Sequence, residues 1–199
     1  MTFPLEEKLQ YSILSIFCLL FFYSVYFIKM LCQKRKGIQT SQIGKRKEKG
    51  LHTVEVLMGI ATLLAPFFEL LSICLNWSYL PPSARFTGFL IALCGDIIFL
   101  LSVLEMKDSW RAGIPEKDQT KLVTTGLYRF SRNPAFLGFD LMYIGLLLMY
   151  FNPLNLVFSI FPIIMLHLQI LQEEKYLTSI FKDSYTEYKN KVFRYLGRR

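Results

Sequence analysis

Five apolar runs constrain this chain more than any other feature. They cover residues 11–31, 54–77, 86–106, 134–151 and 154–171. A bilayer core about 30 Å thick takes roughly 20 apolar residues in a helix. Inside it, every backbone N–H and C=O must be satisfied internally. The runs therefore predict an all-α integral membrane protein with five transmembrane helices. The last two are only just long enough to cross, and the Asn152-Pro153 step between them makes 134–171 a helical hairpin. The first run reads as a span, not a secretory leader, because Glu6 and Glu7 outweigh Lys8 and no small-residue cleavage site follows.

With 53% hydrophobic residues the chain still carries a formal charge of +8, so the charge must lie outside the apolar blocks. The linker 29–50, the loop 107–133 and the tail from 173 hold 21 of the 23 lysines and arginines. With five spans these three segments share one side. The positive-inside rule places them in the cytoplasm and the N-terminus outside. The basic linker 32–50 has no interleaved aromatics on which bases stack, so it reads as a topology anchor and no nucleic-acid partner is expected. One domain, 1–199, is expected. Residues 1–106 hold three spans and the linker; residues 107–199 hold the polar loop, the hairpin and a cytoplasmic tail.

The stretch 120–138, TKLVTTGLYRFSRNPAFLG, passes from polar and basic into an apolar helix. Asn133 is placed as the helix N-cap, with Pro134 at N1 where its missing N–H costs nothing. The positive end of that helix then lies beside a basic loop at the membrane surface, a suitable place for an anionic group. From Lys175, Leu177, Phe181, Tyr185, Tyr188, Val192 and Leu196 recur at three- or four-residue steps, which predicts an amphipathic helix. Glu69, Asp96 and Asp140 fall inside apolar runs. Charge at that depth is costly, so they face the bundle as hydrogen-bonded structural groups or line an entrance for a lipid. Cys18, Cys32, Cys74 and Cys94 form no CxxC pair and read as packing residues. No His, Cys, Asp or Glu spacing suits a metal.

Leu122-Val123-Thr124-Thr125-Gly126-Leu127-Tyr128, then Arg132-Asn133-Pro134 and Phe136-Leu137-Gly138, resemble the LV..GxY...RHPxYxG block of the isoprenylcysteine carboxyl methyltransferase and phospholipid methyltransferase superfamily. Glu173-Glu174 followed by Tyr185 and Tyr188 resembles the same family's C-terminal block. Ser109-Trp110-Arg111-Ala112-Gly113-Ile114 is similar to a stretch in bacterial members. Two positions depart from the pattern: Asn133 stands for the family His and Phe136 for a Tyr.

The resemblance implies S-adenosyl-L-methionine as cofactor and a lipidic or prenylated acceptor drawn from the bilayer. Carried over by position, Thr120, Lys121, Leu122 and Val123 line the cofactor pocket with backbone groups. Gly126 permits close approach, and Tyr128 packs on the ligand. Asn133, Pro134, Ala135 and Phe136 hold its amino-acid end or ribose, and Glu173 pairs with its ammonium. No catalytic side chain is assigned.

Gln169 and Arg132 are the expected acceptor contacts. Gln169 stands where carboxyl methyltransferases of the family carry an Arg, and Gln lacks the charged fork that suits a carboxylate. That favours a neutral or amine-bearing lipid over prenylcysteine. An NADPH-dependent membrane sterol reductase and a non-catalytic relative are the alternatives.

Overall fold

The computed structural model describes residues 5–44, 49–114 and 121–199. Its five helices are α1 (Leu5–Arg35), α2 (Lys49–Cys74), α3 (Pro82–Met106), α4 (Pro134–Met149) and α5 (Pro153–Lys191). Four are long and apolar enough to cross a membrane, and α4 is a shorter apolar helix. At 1.5 Å per residue, its 16 residues cover about 24 Å. The chain is an integral membrane protein by this measure.

Sequential helices run in opposite directions, so their ends gather in two places. At one end the Tyr11 hydroxyl donates to the Pro82 carbonyl (2.8 Å) and the Tyr79 N–H to the Phe151 carbonyl (2.9 Å). Arg85 is fully buried there, its guanidinium 4.4 Å from the Tyr11 ring centre and 4.7 Å from that of Tyr150. Desolvated cation–π contacts of this kind offset some of the cost of burying a charge. At the other end, residues 40–42 lie against Ala112, and the C-terminal tail lies against residues 130–133.

α3 and α4 form the tightest pair. Gly88, Ala92 and Gly95 face Gly138 and Gly145, and a Cβ on Gly145 would lie 2.4 Å from the Ala92 nitrogen. Small residues let the two backbones approach, and packing of this kind drives helix association in lipid. α1 docks on the pair through Phe22, whose ring lies 4.4 Å from Phe99 and 4.6 Å from Phe139. α2 packs on α5, where Phe68 and Phe158 stack at 3.6 Å. α1 and α2 touch each other sparingly.

Several expectations change. The amphipathic stretch expected from Lys175 runs into the C-terminal part of α5, where Lys182 is non-helical (φ 46°, ψ −119°) and a kink there separates two helical pieces. α5 stops at Lys191, so Val192 and Leu196 lie beyond it; Val192 is buried and Leu196 is 71% exposed. Val192 pairs in a short antiparallel bridge with Arg198. Of the cysteines only Cys18 is buried, whereas Cys32, Cys74 and Cys94 face outward. Glu69, Asp96 and Asp140 are buried and line neither of the cavities described below. The two Glu69 oxygens make no hydrogen bond among the described residues, so the expected hydrogen-bonded role does not apply to it.

Candidate active site

The start of α4 is held by one buried carboxylate. Glu174, 4% exposed, accepts from Arg132 Nη2 (2.6 Å), from Arg194 Nε (3.1 Å) and Nη2 (3.0 Å), and from Asn133 Nδ2 (3.5 Å). Arg132 also donates to the carbonyls of Val192 (2.8 Å) and Lys189 (3.1 Å). The tail is thereby tied to the turn before α4. Burial alone would push the Glu174 carboxyl up, but hydrogen bonds from Arg194 and Arg132 outweigh it and hold the group below its ordinary value of 4.5. Opposite charge and direct donation are the reasons.

Asn133 occupies the N-cap position of α4 with Pro134 at N1, but its side chain makes no capping bond. Its Nδ2 instead donates to the Arg194 carbonyl (3.2 Å) as well as to Glu174. The pull of the buried cluster decides the rotamer, so the cap inferred from local sequence is not formed. Beside it, the Tyr188 hydroxyl donates to the carbonyls of Tyr128 (2.6 Å) and Ser131 (3.3 Å), anchoring a 3-10 turn at Gly126–Arg129.

Against this frame lies a polar cavity of about 110 Å³. Of the residues expected at a cofactor site, it brings together Lys121, Leu122, Val123, Tyr128, Asn133, Ala135, Phe136 and Glu173, with Arg132 on its wall. Thr120 lies outside the described residues. Pro134 is buried at the start of α4 and is not in the wall. Gly126 (φ +53°) is also outside it, but the Glu105 carboxylate fills the space of its missing Cβ, with Oε1 1.4 Å from where that atom would stand. Gln169 is buried one turn before Glu173 and donates to it through Nε2 (3.1 Å), without lining the cavity. The two neighbouring glutamates thus separate: Glu174 points into the ion cluster and Glu173 into the cavity.

A second, apolar cavity of about 470 Å³ lies between α1, α2 and α4. Tyr26, Phe27, Met58, Leu63 and Phe139 are among its walls, and Leu63 and Phe27 are themselves 73% and 50% exposed, so the chamber opens sideways between α1 and α2. The two cavities share Trp110, Arg111, Ala135 and Phe136.

The segment carrying the first two is pinned from α1 and the linker. Gln33 Nε2 donates to the Trp110 carbonyl (2.9 Å), the Ala112 N–H to Thr40 (3.0 Å) and the Gln42 N–H to Ala112 (2.8 Å). Sequence reasoning assigned no role to Trp110 and Arg111; the resemblance of 109–114 to bacterial relatives was the signal that pointed there.

A model of the phospholipid methyltransferase family matches residues 84–184. The chain belongs to this family. The matched block begins at α3 and contains every described residue of the polar cavity except Tyr185 and Tyr188, whereas α1 and α2, which wall the chamber, precede it. Curated relatives are also similar to this chain. A Protein-S-isoprenylcysteine O-methyltransferase of Saccharomyces cerevisiae is 49% identical over 72 residues, covering 36% of this chain and 30% of that protein. A Probable protein-S-isoprenylcysteine O-methyltransferase of Oryza sativa subsp. indica is 33% identical over 110 residues, covering 54% of this chain and 58% of the relative. A Schizosaccharomyces pombe Protein-S-isoprenylcysteine O-methyltransferase is 38% identical over 72 residues, 36% of this chain and 30% of its own. The chain spans less than two thirds of the length of these relatives.

Proposed function

We propose that this protein is an integral-membrane methyltransferase that uses S-adenosyl-L-methionine to esterify the carboxylate of a prenylated cysteine. The observation that carries the reading is the junction of the two cavities at Trp110, Arg111, Ala135 and Phe136. A water-soluble donor and a lipid tail need separate rooms that meet at the reacting atoms.

The donor set fits the cofactor. Glu173 supplies a carboxylate for its ammonium, the start of α4 offers a positive end for its carboxylate, and Tyr128 and Phe136 offer apolar faces. The described polar cavity suits one portion of such a ligand, with Lys121, Leu122 and Val123 along it. When bound, the cofactor supplies a sulfonium-activated methyl group. The remaining work of the protein is orientation, which contributes on the order of 7–11 kcal/mol in well-aligned systems. A carboxylate nucleophile needs no general base, which agrees with the lack of any assigned catalytic acid or base.

The names of the relatives support a prenylcysteine acceptor over the amine lipid expected from Gln169 alone. The basic segments of the linker, the loop and the tail support a cytoplasmic site, an N-terminus outside and a C-terminus inside. The test is a thermal-shift and methyl-transfer panel on detergent-purified protein. Stabilisation by S-adenosylhomocysteine but not NADPH, with methylation of N-acetyl-farnesylcysteine, is expected. Stabilisation by NADPH alone would move the protein to the reductase class, and faster transfer to phosphatidylethanolamine would restore the amine acceptor.

A further inference from the structure

We infer that the C-terminal hairpin, residues 192–198, is a seat for anionic lipid, a role separate from the reaction proposed above. Its tip enters the edge of the bilayer, and the basic residues at its open end meet acidic headgroups.

The hairpin is built by backbone contacts. Val192 bridges to Arg198, the Phe193 N–H donates to the Gly197 carbonyl (3.0 Å), and the Arg199 N–H donates to that of Lys191 (3.0 Å). Gly197 (φ +118°) is required at the turn, since a Cβ there would stand 2.8 Å from the Phe193 ring. The Gly197 N–H also donates to the Phe130 carbonyl (2.7 Å), and the Arg132 N–H to that of Phe193 (3.1 Å). The hairpin is thereby fixed against the turn before α4.

Contacts with α5 set its depth. Arg194 reaches Glu174, whereas the next residue, Tyr195, stacks on His167 and shares a hydrogen bond with its Nδ1 (2.6 Å). His167 precedes Glu174 by two helical turns, about 10 Å, and lies inside the apolar run 154–171. The turn of the hairpin thus points toward the hydrocarbon and its open end toward water.

The side chains follow that order. Leu196 at the turn is 71% exposed, with Phe193 (41%) and Phe130 (52%) beside it. Lys189, Lys191, Arg198 and Arg199 are exposed toward the open end. Residues 189–199 hold five basic residues and no acidic one. Glu187 pairs with Lys191, so the charge of the open end rests with Lys189, Arg198 and Arg199. A basic patch alone would suit an acidic peptide equally. Exposed apolar side chains next to it are the composition of an interfacial segment, in which apolar burial and attraction to anionic lipid add. Each lysine or arginine at such a surface favours it about fivefold.

The experiment reads the tip directly. Leu196→Trp is reconstituted in vesicles of phosphatidylcholine and phosphatidylglycerol in equal amounts, with bromine on the acyl chains of one lipid or the other. The signal of Trp77 and Trp110 in the parent chain is subtracted. Quenching is expected with either brominated lipid, and about twofold or more stronger with brominated phosphatidylglycerol. High salt should bring the two values together, and so should adding Arg198→Gln and Arg199→Gln. A melting temperature in detergent near that of the parent chain verifies that this pair folds.

A tip quenched by neither lipid lies in water and overturns the inference; the basic end would then be left to an acidic segment of another protein. Equal quenching by both lipids also overturns it, and that result needs no charge variant to fold. So does a preference for the anionic lipid that survives both high salt and the two glutamines.

Discussion

The two Asn-Pro steps that bracket α4 are the same dipeptide put to opposite uses. Asn152 caps α5: its Oδ1 accepts from the Asn155 N–H at 2.8 Å, and its Nδ2 donates to Ser72 Oγ (3.0 Å) and the Trp77 carbonyl (3.1 Å). Asn133 caps nothing and points its amide at Glu174 and the tail. Both prolines begin a helix. One end of α4 is closed by a helix cap and neutral hydrogen bonds through Asn152, and the other is left to a buried ion cluster beside a cavity. A helix start can serve as a joint or as one wall of a site, and what faces it decides which.

The comparison breaks most sharply at Glu174. Glu174→Ala would leave Arg132 and Arg194 uncompensated, Arg132 being 6% exposed, and is expected to destabilise the protein by about 3–5 kcal/mol. A thermal melt within error of wild type would show that the cluster does not hold the tail. The same carboxylate gives a pH signature. Its folded-state pKa lies below the unfolded value, so its stabilisation is present above about pH 4.5 and fades as pH falls through the folded pKa. Glu174→Gln should flatten the acid limb of melting temperature against pH.

Glu173→Ala comes next and should separate binding from stability. With the cofactor's ammonium left unpartnered, S-adenosylhomocysteine affinity should fall about ten- to a hundredfold, while the melting temperature of the free protein changes little. Calorimetry showing wild-type affinity would move the cofactor site elsewhere.

Asn152→Ala should do the reverse. Losing the cap and the bonds donated by its amide is expected to cost about 1–2 kcal/mol of stability with ligand affinity retained. If affinity falls as much as for Glu173→Ala, the two ends of α4 are not independent. The smallest effect is expected at the matching position. Asn133→His restores the family residue, and methyl-transfer rates should stay within about threefold of wild type, since His retains a ring N–H donor for Glu174. A loss of more than about tenfold would mean that Asn133 has a role which the family His does not share.

Much of this was legible in the residues. The apolar runs gave the helices, the two proline steps gave the starts of α4 and α5, and the 120–138 block pointed to the cavity wall. The gap lay in what faces what. Glu173 and Glu174 are indistinguishable in a sequence, yet one helical step of about 100° sends one to the cavity and the other to two arginines. Tyr185 and Tyr188 were visible as one greasy face, but the bond from the Tyr188 hydroxyl to the Tyr128 carbonyl spans 60 positions and has no local signal.

By itself, then, the sequence determined the solvent and the class. Backbone groups in lipid must pair within their own segment, so long apolar runs have one regular solution, and the basic residues are left to the segments outside them. Tertiary structure alone decided where the cavities are and which charge belongs to which. Gly88, Gly95, Gly138 and Gly145 bring α3 and α4 together, the sparse contact of α1 with α2 leaves the chamber between them, and residues 33–42 carry Arg111 to the place where the chamber meets the polar cavity. Those are contacts between residues far apart in the chain, and they depend on side-chain volume and partner geometry that no local pattern encodes.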